Sequence, residues 1–549
     1  MYRWPAYSKD TVLFVTAFFG IPFITFGSEA DNALCFAIRA TSAARPEQPS
    51  HEGMIRGIAF SASVFALLVH TLSRRGGLLL INFLAIIKIG ILLLIIALAI
   101  AYSAGAIGPT PSNAAEFQSN NLLVIGNISV ANMTHDQMSS QNLGLQNSFR
   151  GASGNAFGYA TALLDAIFAF SGFEQANYVL GEISQPHRKL PIGLGVSSGL
   201  VCVLYLAVNI CYWAVVPQQM MLPQANGATP PTIAEAFFTL TLGFLDPNDP
   251  YLGKRIANVM TALSALGNIV VMMYSATRVK QEIAKEGLLP FPKFFAQNYD
   301  LSIGRLLGRA QKNSTFEKCF GWLLSSKWFA PTNFQEKTPA GAMTLQICVC
   351  FILLFSTWGL GANNAFSFLG GVGTYMINAW FGVMLSAGLL YLRFNKRENW
   401  NDKSNDINPT ISILAASIYL IFNAFPVVTL WVKPPNSSSD SLSWFLIPTV
   451  SMIMLVCGSL WWLGFIVLTR RKDKRERTVL KVIKIPDYDE DPRGSGHYVQ
   501  THETTYIFRQ GQDFAEYDMK EAGMSNGAAR NRNGDFDRLD DFGAVGPGR

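Results

Sequence analysis

The sequence predicts an all-α integral membrane protein of about ten transmembrane helices. Three observations predict it. Half of the 549 residues are hydrophobic and only 15% are charged. Apolar runs of about 20 residues, the length that crosses a bilayer as a helix, recur from Thr11 to Thr469. The Lys and Arg residues concentrate on alternate connections between those runs. A backbone inside lipid must satisfy its own hydrogen bonds, and runs this long and continuous do so as helices, not as barrel strands.

The expected spans are 11–40, 54–72, 77–104, 156–181, 190–216, 256–279, 339–359, 362–393, 410–432 and 443–469. The first carries two acids, Glu29 and Asp31, which either lie near its outer end or face neighbouring helices. The second closes on His70 beside Arg74, as an interfacial histidine does. The third contains Lys88, about a dozen residues from the cytoplasmic end of its run. That is too deep for the ammonium to snorkel to water, so it faces a bundle interior or a wet cavity. The fourth is interrupted by Ser171, Gly172 and Glu174, and the fifth follows a basic, proline-flanked loop. The sixth ends at a basic segment, and the seventh to tenth follow from hydropathy alone. After Thr469, "RRKDKRER" acts as a stop-transfer anchor.

Charge fixes the expected orientation. One set of connections holds Arg74, Arg75, Arg188, Lys189, Arg393, Lys396, Arg397 and Lys403, with ten Lys/Arg from Arg278 to Lys337. The alternate set holds only Arg45, Arg150, Lys254, Arg255 and Lys433. The positive-inside rule makes the first set cytoplasmic, and both termini with it. Sequons agree: Asn127, Asn132 and Asn436 fall in loops assigned outside and are candidate glycosylation sites, while Asn313 falls inside. The expected organisation is therefore a membrane domain over 1–470, with a mobile external loop at 105–155 and a cytoplasmic loop at 280–338. A disordered cytoplasmic tail is expected over 471–549. No cleavable signal peptide is expected.

Composition excludes other classes. A net charge of +6 carries no nucleic-acid signal. The seven cysteines form no paired-CxxC pattern, and all but Cys319 lie in apolar runs, so they read as small buried hydrophobes. No metal, cofactor or catalytic constellation is expected, and the expected surroundings are membrane lipid. No external cysteine is present to tether a heavy-chain partner.

The stretch "FAFSGFEQANYVLGEISQPHRKLP", Phe168 to Pro191, holds the candidate site. A glycine at 172 permits a non-helical backbone, and Ser171 and Glu174 can cap the freed ends. A half-helix end presents unpaired N–H groups to an anion, and freed carbonyls bind a cation. The alternative is a continuous helix in which Gly172 merely permits close packing.

That stretch resembles the sixth span and following loop of the amino acid–polyamine–organocation superfamily. Its nearest likeness is to L-type amino acid transporters and fungal methionine permeases. The pattern is carried by Phe168, Phe170, Ser171, Gly172, Phe173, Glu174, Asn177, Tyr178, Glu182, Pro186, Arg188 and Pro191. A second match runs from Ser275 to Ala296, on Ser275, Arg278, Ala284, Glu286, Gly287, Leu289 and Pro290. A weaker third match places Lys88 in the family's fifth span.

The resemblance implies an inverted-repeat amino acid transporter-like fold with broken spans meeting at the substrate. It implies that Phe170, Ser171, Gly172 and Phe173 contact the substrate, with Glu174 and Asn177 contacting it or supporting the break. It makes Lys88 a candidate for proton coupling or a fixed charge. The expected activity is alternating-access transport of neutral L-amino acids, with methionine a candidate. The alternative is a non-transporting membrane protein such as a nutrient receptor or partner subunit. The match leaves only three spans before the sixth-span motif, and the family's Gly-x-Gly motif has no counterpart. The chain is therefore expected to be N-terminally incomplete, lacking the first two spans.

Overall fold

The computed structural model describes residues 9–48, 50–107, 124–125, 128–129, 142, 154–178, 186–217, 231–246, 249–299, 338–395, 400, 408–434, 442–490 and 498–511. Where one span was expected over 11–40, two helices stand, α1 (Lys9–Phe26) and α2 (Ala30–Ala44). Gly27 still donates to Phe23 O at 2.8 Å, and Glu29 O accepts from Ala33 at 2.8 Å, so each helix closes its own ladder on either side of the break. Polar residues fall at this point, Ser28 and Glu29, and such side chains favour helix ends over interiors.

Helices α3 (Glu52–Leu72) and α4 (Arg74–Ser103) are joined by Ser73 alone. Its Oγ accepts from Gly76 N at 3.0 Å, so one residue ends α3 and caps α4. His70 is not an interfacial residue as expected. It is 1% exposed, and its Nε2 lies 2.9 Å from Val270 O of a later helix. The segment between α4 and the next helix contributes β1 (Val124–Ile125) and β2 (Ile128–Ser129), paired antiparallel.

The expected fourth span stops early. Helix α5 (Ala156–Phe170) ends at the serine–glycine pair, and a single turn, α6 (Gln175–Tyr178), follows. Then come α7 (Pro186–Val215), α8 (Ile233–Leu242) and α9 (Leu252–Lys285). Helix α8 was not anticipated, and α9 continues to Lys285, into the segment expected to be loop from 280. A short α10 (Pro292–Ala296) is followed by α11 (Ala340–Ser356) and α12 (Ala362–Gly373). A π-helical segment, Thr374–Trp380, leads directly into α13 (Phe381–Phe394). Helices α14 (Pro409–Thr429) and α15 (Leu446–Glu476) complete the bundle.

Among the described residues, seven helices are long and apolar enough to cross a membrane. They correspond to the second, third, fifth, sixth, eighth, ninth and tenth expected spans. The other three positions are the two interrupted helices and the 17-residue α11. The tail also departs from expectation. In place of disorder from 471, α15 runs to Glu476, and β3 (Thr478–Glu490) pairs antiparallel with β4 (Tyr498–Gly511). Both strands are rich in β-branched and aromatic residues, which suit a pleated backbone.

Helix α2 sits in the largest core cluster, packed against α3, α9 and α12. It presents Ala30, Ala33 and Ala37, and α3 presents Ala59, Ala62 and Ala66, all buried. Lipid gives helices no hydrophobic reason to associate, so small residues at helical spacing bring the backbones close and dispersion does the work. The same logic seats α8 on α9. A Cβ on Gly253 would lie 2.4 Å from Thr239 Cα, so only glycine admits that approach.

Candidate functional site

The two interrupted helices face one cavity of about 840 Å³, within the size range of small-molecule sites. The α1–α2 break supplies Gly27, Ser28, Asp31 and Asn32 to its lining, and the α5–α6 break supplies Phe168 through Gln175. Helix α7 adds Tyr205, α9 adds Asn268 and Ser275, and the π-helical segment adds Thr374, Ile377 and Asn378. A π segment widens the helix by one residue and recurs at functional sites.

The α5–α6 break is built locally. Gly172 has φ +107°, a conformation that L side chains rarely adopt. Ser171 is anchored backward, its Oγ donating to Phe168 O at 2.8 Å. Gly172 N donates to Glu174 Oε2 at 2.9 Å, so the carboxylate satisfies an amide freed by the turn. Gln175 then ties the break to α9, its Oε1 accepting from Ser275 Oγ at 2.9 Å. The walls are aromatic. Phe170 lies against Tyr205 with ring centroids 5.2 Å apart, and Phe23 meets Tyr178 edge-on at 5.5 Å.

Of the residues singled out in the sequence, Phe170, Ser171, Gly172, Phe173 and Glu174 all line this cavity. Asn177 does not; its backbone amide closes the turn onto Glu174 O at 2.9 Å. Lys88 is not in the lining either, but it reaches the lining through one amide. Its Nζ donates to Asn268 Oδ1, and a Cβ on Gly267 would lie 2.8 Å from Lys88 Cε, so the glycine makes room for the lysine stem. Asn268 Nδ2 donates to Asn32 Oδ1 at 3.0 Å, and Asn32 Nδ2 donates to Asp31 Oδ1 at 3.0 Å. Asn127, Asn132 and Asn436 lie outside the described residues.

Sequence reasoning placed Asp31 at a span end or against a neighbour and did not reach Asn32, Asn268 or Gln175. The available signal was the break itself, since "FGSEADN" mirrors "FSGFEQAN" in placing Gly, Ser and an acid after a Phe. Glu29 takes a different position. It is fully buried behind the α1–α2 break, and Gln346 Nε2 of α11 donates to its Oε2.

Comparison with known proteins adds to this geometry. The family described as "Amino acid permease" matches residues 5–456. The high-affinity methionine permease of Saccharomyces cerevisiae (strain ATCC 204508 / S288c) is 26% identical over 429 residues, covering 78% of this chain and 60% of that protein. The low-affinity methionine permease of the same yeast is 23% identical over 312 residues, covering 57% of this chain and 47% of that protein. The b(0,+)-type amino acid transporter 1 of Rattus norvegicus is 33% identical over 85 residues, 15% of this chain and 18% of that protein. The chain thus spans three-fifths or less of the length of the relatives it matches.

Proposed function

The chain belongs to the amino acid permease family, as an integral multi-pass membrane protein, and from that premise we propose that it moves neutral L-amino acids, methionine among them, across the plasma membrane by alternating access. The observation that carries this reading is the single cavity faced by two interrupted helices. An interrupted helix exposes backbone N–H and C=O groups at mid-membrane depth, where they bind a polar substrate, and its halves can tilt independently. The aromatic wall of Phe168, Phe170 and Phe173 suits an apolar substrate side chain. The methionine permeases of yeast support methionine as the first substrate to try. In this reading both termini face the cytoplasm, Asn127, Asn132 and Asn436 face outside, and Lys88 couples transport to protons.

Uptake of labelled methionine and leucine by cells stripped of their own permeases tests the proposal. The chain is expected to raise uptake above background. Gly172→Leu is expected to abolish uptake at unchanged surface level, because leucine at φ +107° forces the break to rearrange. A chain that reaches the surface and gives only background uptake, or a Gly172→Leu variant that transports normally, would overturn it. Binding without uptake would point to a receptor.

A further inference from the structure

We propose that Glu29, Lys280 and Gln346 hold bound water inside the helix bundle, at an enclosed site separate from the large cavity. The site does not depend on the transport reading above.

The argument starts from five polar side chains on four helices. Glu29 stands at the start of α2, Ser63 on α3, Lys280 on α9, and Gln346 and Cys350 on α11. All five are 0% exposed. None of them lines the cavity, although Glu29 follows the lining residue Ser28 and Lys280 lies one helical turn beyond the lining residue Ala276. They form one cluster. Gln346 Nε2 donates to Glu29 Oε2, and Cys350 Sγ lies 3.4 Å from Ser63 Oγ. Lys280 interacts electrostatically with both Glu29 and Cys350.

The hydrogen bonds of this cluster are incomplete in a particular way. Glu29 Oε1, Gln346 Oε1 and Lys280 Nζ have no hydrogen-bond partner among the described residues. The Glu29 carboxylate also lies near its own backbone amide and the Cys350 thiol, but neither gives Oε1 a formed bond, and a thiol is a weak donor. A direct Glu29–Lys280 contact at Oε1 would satisfy two of the three atoms at once, and both stand unsatisfied. Opposite charges so placed attract without touching. The amide orientation follows from the carboxylate, which only accepts. Gln346 must turn Nε2 toward Glu29, and its Oε1 is left for another donor.

The three atoms define the ligand by its chemistry. It must accept from an ammonium and donate to a carboxylate and an amide oxygen. A metal cation would be set against the ammonium, and an anion against the carboxylate. Water does both tasks with one molecule, and buried waters typically make about three hydrogen bonds to groups of this kind. A water-bridged pair also keeps each buried charge solvated, where a bare one is costly. The bridge ties α2, α9 and α11 together through one point.

X-ray radiolysis of the purified full chain tests the site. Bound water yields hydroxyl radicals in place, and these oxidise sulfur in contact with it, whatever its exposure to bulk solvent. Cys350 is therefore expected to be oxidised at a rate approaching that of Met54, which is 41% exposed. Met376, 0% exposed in the π-helical segment, is the control and should stay unoxidised. Oxidation of Cys350 is expected to be lost in the Glu29→Leu, Lys280→Met double variant, which removes both charged groups. Cys350 left unoxidised in the wild type overturns the inference with no variant needed. Equal oxidation of Cys350 and Met376 overturns it too, because solvent would then reach the core generally. A double variant that still oxidises at Cys350 would show that the charge pair does not hold the water, and overturns the assignment.

Discussion

Glu29 and Lys280 are two opposite charges with no exposure, held behind the α1–α2 break, and they interact electrostatically. Gln346 donates to one carboxylate oxygen, yet Glu29 Oε1, Lys280 Nζ and Gln346 Oε1 have no hydrogen-bond partner among the described residues. Such a cluster is expensive to assemble and more expensive to halve, since removing one partner strands the other charge in low dielectric. Glu29→Gln and Lys280→Met are each expected to cost about 3 kcal/mol. The double variant, which removes both charges, should cost less than the sum of the two. Thermal denaturation in detergent checks this. Single effects that simply add would show that the two charges do not support each other.

The join between α11 and α12 shows how one side-chain pair closes two helix ends. Helix α11 ends with unpaired carbonyls and α12 begins with unpaired amides. Arg56 on α3, 1% exposed, donates from Nη1 to Leu354 O at 2.6 Å and from Nη2 to Thr357 O at 2.9 Å. Glu52, one turn earlier, accepts from Ala362 N at 2.8 Å. The cation thus sits at a helix C-terminus and the anion at a helix N-terminus, each where the macrodipole favours it. Arg56→Met should destabilise the protein by about 3 kcal/mol, and Arg56→Lys should recover little of that, because an ammonium cannot reproduce the fork. A melting temperature for Arg56→Lys equal to wild type would refute the clamp. None of this was legible in the sequence. Hydropathy located the apolar helices, because lipid imposes that signal on every residue of a span. It could not show that the first span breaks at Gly27–Glu29, because Ser28 and Glu29 look the same on a span's rim as in its middle. The fourth span's break was visible because Gly172 and Glu174 stand between apolar flanks. Helix α8 is too short for a hydropathy window, although its capping box, Thr232 with Glu235, is written in the sequence.

Transport by alternating access requires helices to move against each other, so a polar link that crosses several helices reports on the whole bundle. The Lys88–Asn268–Asn32–Asp31 chain joins α4, α9 and α2 and ends in the cavity. Lys88 is thus a positive charge connected to a lining whose described residues carry carboxylates and no cation. If Lys88 shares or gives up its proton as the ligand arrives, uptake must depend on external pH through that residue. Lys88→Met is then expected to flatten the pH dependence of methionine uptake. Asn268→Leu should do the same, because it cuts the chain while leaving the lysine in place. The two variants separate coupling from packing. A methionine at 88 keeps most of the apolar stem against Gly267, and a leucine at 268 keeps most of the amide's volume. Uptake measured from acidic to neutral pH, normalised to surface protein, gives the answer. A wild-type pH profile in both variants would confine the chain to holding Asp31 in place. A flat profile in Lys88→Met alone would mean that the lysine acts without the asparagine link.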